Sequence, residues 1–309
     1  IDVLTNALVT DLYSDSNNKI LGVKVLRTDG QTEEIGCDAL ILACCGFAGN
    51  PEMVEEYMPE IKEAEFFGHP GNKGDAIKWG KSLGADLADI GSYQGHGGLA
   101  AGRGVPILWP MIMEGGFQIN INGERFSDES LGYSEQAVKV VSQPKKIAWN
   151  IFDERLHELM KEFEDYNNAI EAKAIIKADN AAELSALTGI NKESLDKTIK
   201  EVEEMVEGKR KDSFGRDFTI KPKLESPYYT VKVTGALFHT QGGLVVNEHA
   251  QVMDKNKDPL PNLFAGGGSA RGISGPSDWG YIAGNGLLTA TTFGRLAGVS
   301  AANLVKTDK

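Results

Sequence analysis

The sequence predicts an α/β fold, and three segments carry that prediction. Ala39 to Phe47 is a continuous apolar run broken only by Gly46, the pattern of a strand buried in a parallel sheet. Asn262 to Gly268 reads as a second short buried strand running into a glycine turn. Gly284-Asn285-Gly286-Leu287-Leu288 reads as another glycine turn opening a helix, expected to end near Phe293 to Gly298. Between these flanks, residues 153 to 210 are charge-rich with helical periodicity.

The elements follow in order. Residues 1 to 46 read as a three-stranded meander of Leu4 to Tyr13, Ile20 to Leu26 and Glu34 to Ala43, with turns at Asp15-Ser16-Asn17-Asn18 and Asp29-Gly30. Pro51 to Met58 has a helical start, and Gly74 to Gly84 reads as a helix with Asp75 in its first turn. Gly91 to Gly116 is glycine-rich and reads as irregular. Phe117 to Asn120 and Glu124 to Phe126 read as a hairpin about Asn122-Gly123. Helices are expected from Asp179 to Leu187 and from Lys192 to Glu207, the latter with Leu195, Ile199, Val202 and Val206 on one face. Short strands follow at Tyr229 to Val233, Gly243 to Asn247 and Gln251 to Asp254.

Composition narrows the function classes. A chain of 309 residues allows one large or two ordinary domains, and 41 % hydrophobic content supports a sizeable core. A net charge of −12 argues against nucleic acid or anionic membrane as a partner. The longest apolar runs are too short to span a bilayer. Cys37, Cys44 and Cys45 lack metal-ligand spacing, and the adjacent pair reads as small core filler rather than a disulfide.

Glycine turns at strand ends let backbone N–H groups approach a ligand, and a helix N-terminus adds partial positive charge. Four segments then bear a family resemblance in a common order. Ala39-Leu40-Ile41-Leu42-Ala43-Cys44-Cys45-Gly46-Phe47 resembles a strand ending in Ala-Thr-Gly-Gly-Phe. Gly71-Asn72-Lys73-Gly74-Asp75-Ala76 resembles an Asn-Thr-Gly-Asp-Gly loop. Phe238-His239-Thr240-Gln241-Gly242-Gly243-Leu244 resembles a His-Thr-x-Gly-Gly segment, and the tail from Asn262 to Leu288 resembles a C-terminal flavin-binding stretch. In all four the chain resembles the fumarate reductase/succinate dehydrogenase flavoprotein superfamily, with its soluble fumarate reductases, urocanate reductases and 3-ketosteroid dehydrogenases.

The resemblance implies FAD as cofactor and a Rossmann-like FAD domain of the glutathione-reductase type with an inserted α+β capping domain. Residues 1–90 and 239–309 would form the FAD domain and 91–238 the cap. It implies cofactor contacts from Ala43, Cys44, Gly46, Gly74, Asp75, Gly267, Gly268, Gly284, Asn285, Gly286 and Leu287, and no metal. Such flavoproteins open with a Gly-x-Gly-x-x-Gly turn that holds the ADP half of FAD. No such turn stands in these residues, so the FAD domain reads as incomplete and the N-terminal segment as missing. A small-molecule substrate, that missing segment and an electron donor are the expected partners, and the cytoplasm the expected location.

The candidate catalytic residues are Tyr281, His239, His96 and Arg271. His239 matches a histidine that holds a substrate carboxylate in the family, and His96 lies in Gln94-Gly95-His96-Gly97. His69 is a weaker candidate, and His157 and His249 read as surface residues. Ile112 or Met113 falls where fumarate reductases carry a proton-donating Arg, and Tyr281 falls where they carry a carboxylate-clamping Arg. Gly268 has no side chain where the family often has Glu or Asn. Tyr228 and Tyr229 read as packing between cap and core. Hydride exchange between flavin and a hydrophobic enone, its carbonyl held by His239 or Tyr281, is therefore the first expected activity. A fumarate or urocanate reductase is the second, and an inactive fragment the third.

Overall fold

The computed structural model describes residues 2–307. The chain divides into two compact units: residues 1–59, 68–93 and 239–309, and residues 60–67 and 94–238. The strap 60–67, expected with the first unit, belongs to the second. No helix among the described residues is long and apolar enough to cross a membrane.

The first unit holds the meander Ala7–Ser14, Ile20–Arg27, Thr32–Gly36. The expected third strand is two strands. Thr32–Gly36 stays with the meander, while Leu40–Leu42 leaves it and pairs in parallel with Pro259–Ala265. The break comes where Asn262 ties the pieces together. Its amide oxygen accepts from Ile20 N at 2.7 Å, and its Nδ2 donates to the carbonyls of Ile20 and Asp38, both at 2.8 Å. Gln251–Met253 closes this sheet, antiparallel to Pro259–Ala265.

Three helices complete the unit. In Pro51–Tyr57, Asn50 Oδ1 caps Met53 N and proline occupies the first turn. The second is Asp75–Ser82. The third, Asn285–Thr307, does not stop at Phe293 to Gly298 as expected. Gly294 and Gly298 lower helix propensity without breaking it, and Ala297 and Ala301 hold the helix against Ala250 and Phe264.

The second unit is built on a seven-stranded sheet whose axis is the long strand Tyr228–Thr240, which belongs to this unit through Phe238. Ile147–Asp153, Ile175–Ala178 and Glu65–Phe66 all pair with it. The region expected to be irregular contains the strand Tyr93–Ala100, because close packing there needs glycine. A Cβ on Gly95 would stand 2.8 Å from Ser134 O and Ala137 Cβ. The expected hairpin keeps its turn, with Asn120 N bonded to Glu124 O at 2.9 Å, but no second strand forms. Phe117–Ile119 pairs instead with Ile147–Asp153, which the sequence reading missed.

Helices Glu154–Met160, Glu164–Glu171, Ala181–Thr188 and Lys192–Val206 pack around a core that includes Phe117, Phe152, Tyr166 and Val231. Asn191 caps the last of them by accepting from Ser194 N at 3.0 Å. Its buried face is Leu195, Thr198, Val202 and Met205, so the expected stripe is rotated and Ile199 and Val206 sit at its margin.

Candidate cofactor and active site

Leu40–Leu42 and Leu263–Ala265 run in parallel and therefore end at the same edge of their sheet. Gly266 N donates to Leu42 O at 3.1 Å, which fixes the two exits side by side. Ligands of open α/β sheets bind beyond the carboxyl ends of such strands. Here those ends open into a cavity of about 360 Å³ within the first unit. Ala43 and Cys45 line it from one strand exit, and Gly267, Gly268, Ala270 and Gly272 from the other. His239, Thr240 and Gln241 supply a third wall, and Gly286, Leu287, Thr289 and Ala290 of the terminal helix a fourth.

The walls are set by close approach. A Cβ on Gly46 would fall 1.7 Å from Thr240 Oγ1, so only glycine lets this backbone pass. Thr240 is 1 % exposed, and its hydroxyl has no hydrogen-bond partner among the described residues. A buried hydroxyl without a partner costs about 1–3 kcal/mol, and this one belongs to a residue of the cavity wall. Cys45 holds a left-handed backbone at φ 65°, an uncommon conformation for a side-chain-bearing residue, and Ser269 Oγ donates to its carbonyl at 3.1 Å. At the fourth wall, Gly286 and Leu287 lie in the first helical turn, whose N–H groups lack intrahelical acceptors and carry partial positive charge.

His239 stands beside Gly286, where a Cβ would approach its ring within 2.8 Å. Its Nδ1 lies 3.1 Å from Thr240 O and 3.4 Å from Gln241 Nε2. Burial lowers the tendency of this imidazole to protonate. In the second unit His96 is 4 % exposed. Its ring stacks on Phe238 with centroids 5.4 Å apart and lies 5.1 Å from Tyr133 and 5.7 Å from Trp109. Burial pushes its pKa down to about 4, so it is neutral at pH 7.

The cavity thus brings together Ala43, His239, Gly267, Gly268, Gly286 and Leu287 of the sequence candidates. Others stand behind it. Gly46 backs Thr240, and Gly74 N donates to Gly46 O at 3.1 Å. Asp75 starts its helix and faces Lys78 at 3.7 Å. Asn285 is buried and bonded to Gln241 and Ser274. Cys44 is exposed rather than core filler, Cys45 is a cavity residue, and both are free thiols.

Gly284 and the half-buried Tyr281 do not line the cavity. Nor does Arg271, whose Nε donates to Asp89 at 2.6 Å. His157 is not a simple surface residue: it bonds Tyr166 Oη at 2.7 Å and stacks on Tyr229 at 4.3 Å. Tyr229 itself donates to Glu154 at 2.7 Å and packs on Phe152.

The sequence reading missed Cys45, Thr240, Gln241, Gly272, Thr289 and Ala290. Two signals pointed to some of them. Thr240 and Gln241 lie inside the His-Thr-x-Gly-Gly element, and Thr289 and Ala290 follow Gly286 by three and four residues, on the same helix face.

Parallel strand ends, glycine turns and a long helix starting at one cavity define a cofactor-binding α/β protein. The chain belongs to the FAD binding domain family, which its residues 1–287 match. It is similar to a probable fumarate reductase, Ifc3, of Shewanella frigidimarina (strain NCIMB 400), at 29 % identity over 98 % of this chain and 50 % of that protein. Among solved structures, it is similar to the open conformation of a flavocytochrome c3 fumarate reductase, with a TM-score of 0.78, 28 % identity, and coverage of 96 % of this chain and 52 % of that one. A 3-ketosteroid Δ1-dehydrogenase from Sterolibacterium denitrificans shares the fold, with a TM-score of 0.71, 24 % identity, and coverage of 96 % and 59 %. The chain spans about half the length of the curated relatives it matches. The mixed α/β architecture and FAD as cofactor follow from this membership.

Proposed function

We propose that this chain forms the substrate-facing part of an FAD-dependent oxidoreductase acting on a carbon–carbon bond next to a carbonyl. On this reading the first unit is the remainder of a Rossmann-like FAD domain and the second is an inserted α+β cap. One observation carries the proposal: a cavity at the carboxyl ends of two parallel strands, walled by glycine turns and a helix N-terminus. Bound there, FAD would supply hydride exchange with the substrate carbon.

The residues present fit that group. Backbone at Gly267 and Gly268 leaves room for a flat ring system, and first-turn N–H groups at Gly286 and Leu287 suit an electron-rich ring edge. His96, neutral and among aromatic rings, is proposed as a substrate ligand. Flavin titration tests the reading. The full-length protein should bind FAD and quench its fluorescence, and a well-folded protein with no flavin affinity would overturn it.

An apolar enone is the first substrate class, because Ile112 or Met113 and Tyr281 stand where fumarate reductases carry Arg. Each carboxylate taken from water without an Arg or several N–H donors costs several kcal/mol. A fumarate-type dicarboxylate is the second reading, supported by the likeness to proteins named as fumarate reductases. Turnover of a panel of enones against fumarate with one electron donor separates them. Faster turnover of fumarate than of every enone would establish the second reading.

A further inference from the structure

His96 and His239 each have one ring nitrogen tied to the backbone, but to opposite kinds of group. His96 Nδ1 accepts from the backbone N–H of Gly98 at 3.0 Å. An N–H can only donate, so this nitrogen carries no proton, and in the neutral ring the proton sits on Nε2. His239 Nδ1 lies 3.1 Å from the carbonyl oxygen of Thr240. A carbonyl can only accept, so here Nδ1 carries the proton and Nε2 keeps a bare lone pair. Neither Nε2 has a hydrogen-bond partner among the described residues.

We propose that the backbone sets these histidines in opposite tautomers, so that His96 offers a hydrogen-bond donor at Nε2 and His239 an acceptor at Nε2 beside the cavity. Burial keeps both rings neutral, which preserves the distinction at neutral pH.

One competitor acts on His239. Asn285 Nδ2 donates to Ser274 Oγ at 2.8 Å and to Gln241 Oε1 at 2.6 Å. With its oxygen so occupied, Gln241 turns its NH2 toward His239 Nδ1, at 3.4 Å, and presses for the other tautomer. The carbonyl is closer, so it prevails.

The assignment deepens the proposed function, and rests on it only for what the groups would meet. A substrate carbonyl cannot be held by a neutral His239, whose lone pair would face the carbonyl's own. His96, by contrast, can donate to a carbonyl oxygen. The ligand atom at His239 must carry a hydrogen, as an O–H or N–H, and a carboxylate oxygen is disfavoured there.

Long-range proton–nitrogen NMR correlation on the full chain labelled with 15N-histidine tests this without flavin or substrate. Spectra of His96→Gln and His239→Gln assign the two rings by subtraction. His96 should show the proton on Nε2 and His239 the proton on Nδ1. Gln241→Met removes the competing amide and should leave His239 unchanged. The same tautomer in both rings overturns the proposal. So does a His239 that carries its proton on Nε2 and switches only in Gln241→Met, because Gln241 and not the backbone would then set it. Loss of flavin binding with these tautomers intact would instead strike the proposed function alone.

Discussion

The buried ion pairs of the second unit and the buried Thr240 hydroxyl of the first differ in how their polar atoms are bonded. In the second, Arg125, Glu129, Asp212 and Arg216 form a charge-balanced group, although Arg125 Nε has no hydrogen-bond partner among the described residues. Arg125 meets Glu129 at 2.8 Å and Asp212 at 2.6 Å, and Arg216 meets Glu129 at 3.0 Å. Arg216 also donates to the carbonyls of Ile112 and Gly116 at 2.7 and 2.9 Å. Two positive and two negative charges cancel, and the group fastens the loop near residue 216 to the sheet. In the first unit, Thr240 is as deeply buried, yet its hydroxyl has no hydrogen-bond partner among the described residues. Closed networks give a domain its shape. Thr240 belongs to the wall of the glycine-lined cavity, with its hydroxyl packed against Gly46.

If the closed network is structural, breaking it should cost most. Glu129→Ala leaves Arg216 without its ion-pair partner and Arg125 with Asp212 alone, and losing one partner of a buried ion pair costs about 3–5 kcal/mol. Urea unfolding should show a loss of that size, with a much smaller loss in Glu129→Gln, which keeps the shape and some hydrogen bonds. A loss below about 1 kcal/mol in Glu129→Ala would erase the contrast between the units.

The buried His96 sharpens the contrast through pH. Its folded pKa is about 4, against about 6.5 when unfolded. Above pH 6.5 both states are neutral and its full contribution is present. Between pH 6.5 and 4 the unfolded chain takes up a proton that the folded chain refuses, so stability falls as pH falls. The contribution lost is about 3 kcal/mol, and it levels off below pH 4. His96→Gln should lack this part of the slope, and equal slopes in both proteins would show that His96 titrates normally.

Gly46→Ala probes the wall of the open site. The new methyl would collide with Thr240, and overpacking of this kind costs about 1–3 kcal/mol. Thermal unfolding should register that loss together with weaker flavin binding. Unchanged stability would mean that the two segments part without cost.

Thr240→Val should have the smallest effect on folding and the most telling one. Valine keeps the shape and removes a hydroxyl that has no partner, so stability should hold or rise slightly. FAD affinity should fall about 5- to 30-fold, the equivalent of about 1–2 kcal/mol. Lower stability with unchanged FAD affinity would place Thr240 among the closed networks.

Much of the fold was legible in local pattern. Asp75–Ser82 and Lys192–Val206 lie within two residues of their expected bounds, because capping residues and glycines punctuate them. The apolar runs about Leu40 and Leu263 are the two strands whose exits shape the cavity. The strand Tyr93–Ala100 was not legible. Its glycines look like loop residues until a helix lies against them and leaves no room for a Cβ. The break between Thr32–Gly36 and Leu40–Leu42 depends on Asn262, more than two hundred residues away.

Sequence alone determined the residue types at the site. Glycine at 267, 268 and 286, His-Thr-Gln at 239 to 241, and the absence of any Arg near the expected clamp at Tyr281 are matters of chain order. Tertiary structure alone decided what those residues present. Only distances across the fold leave the Thr240 hydroxyl open, turn Arg271 to Asp89 and place a backbone N–H on one histidine and a carbonyl on the other. The reason is physical. A side chain's donors and acceptors are fixed by its chemistry, but which of them remain free depends on the partners that folding brings within about 3 Å.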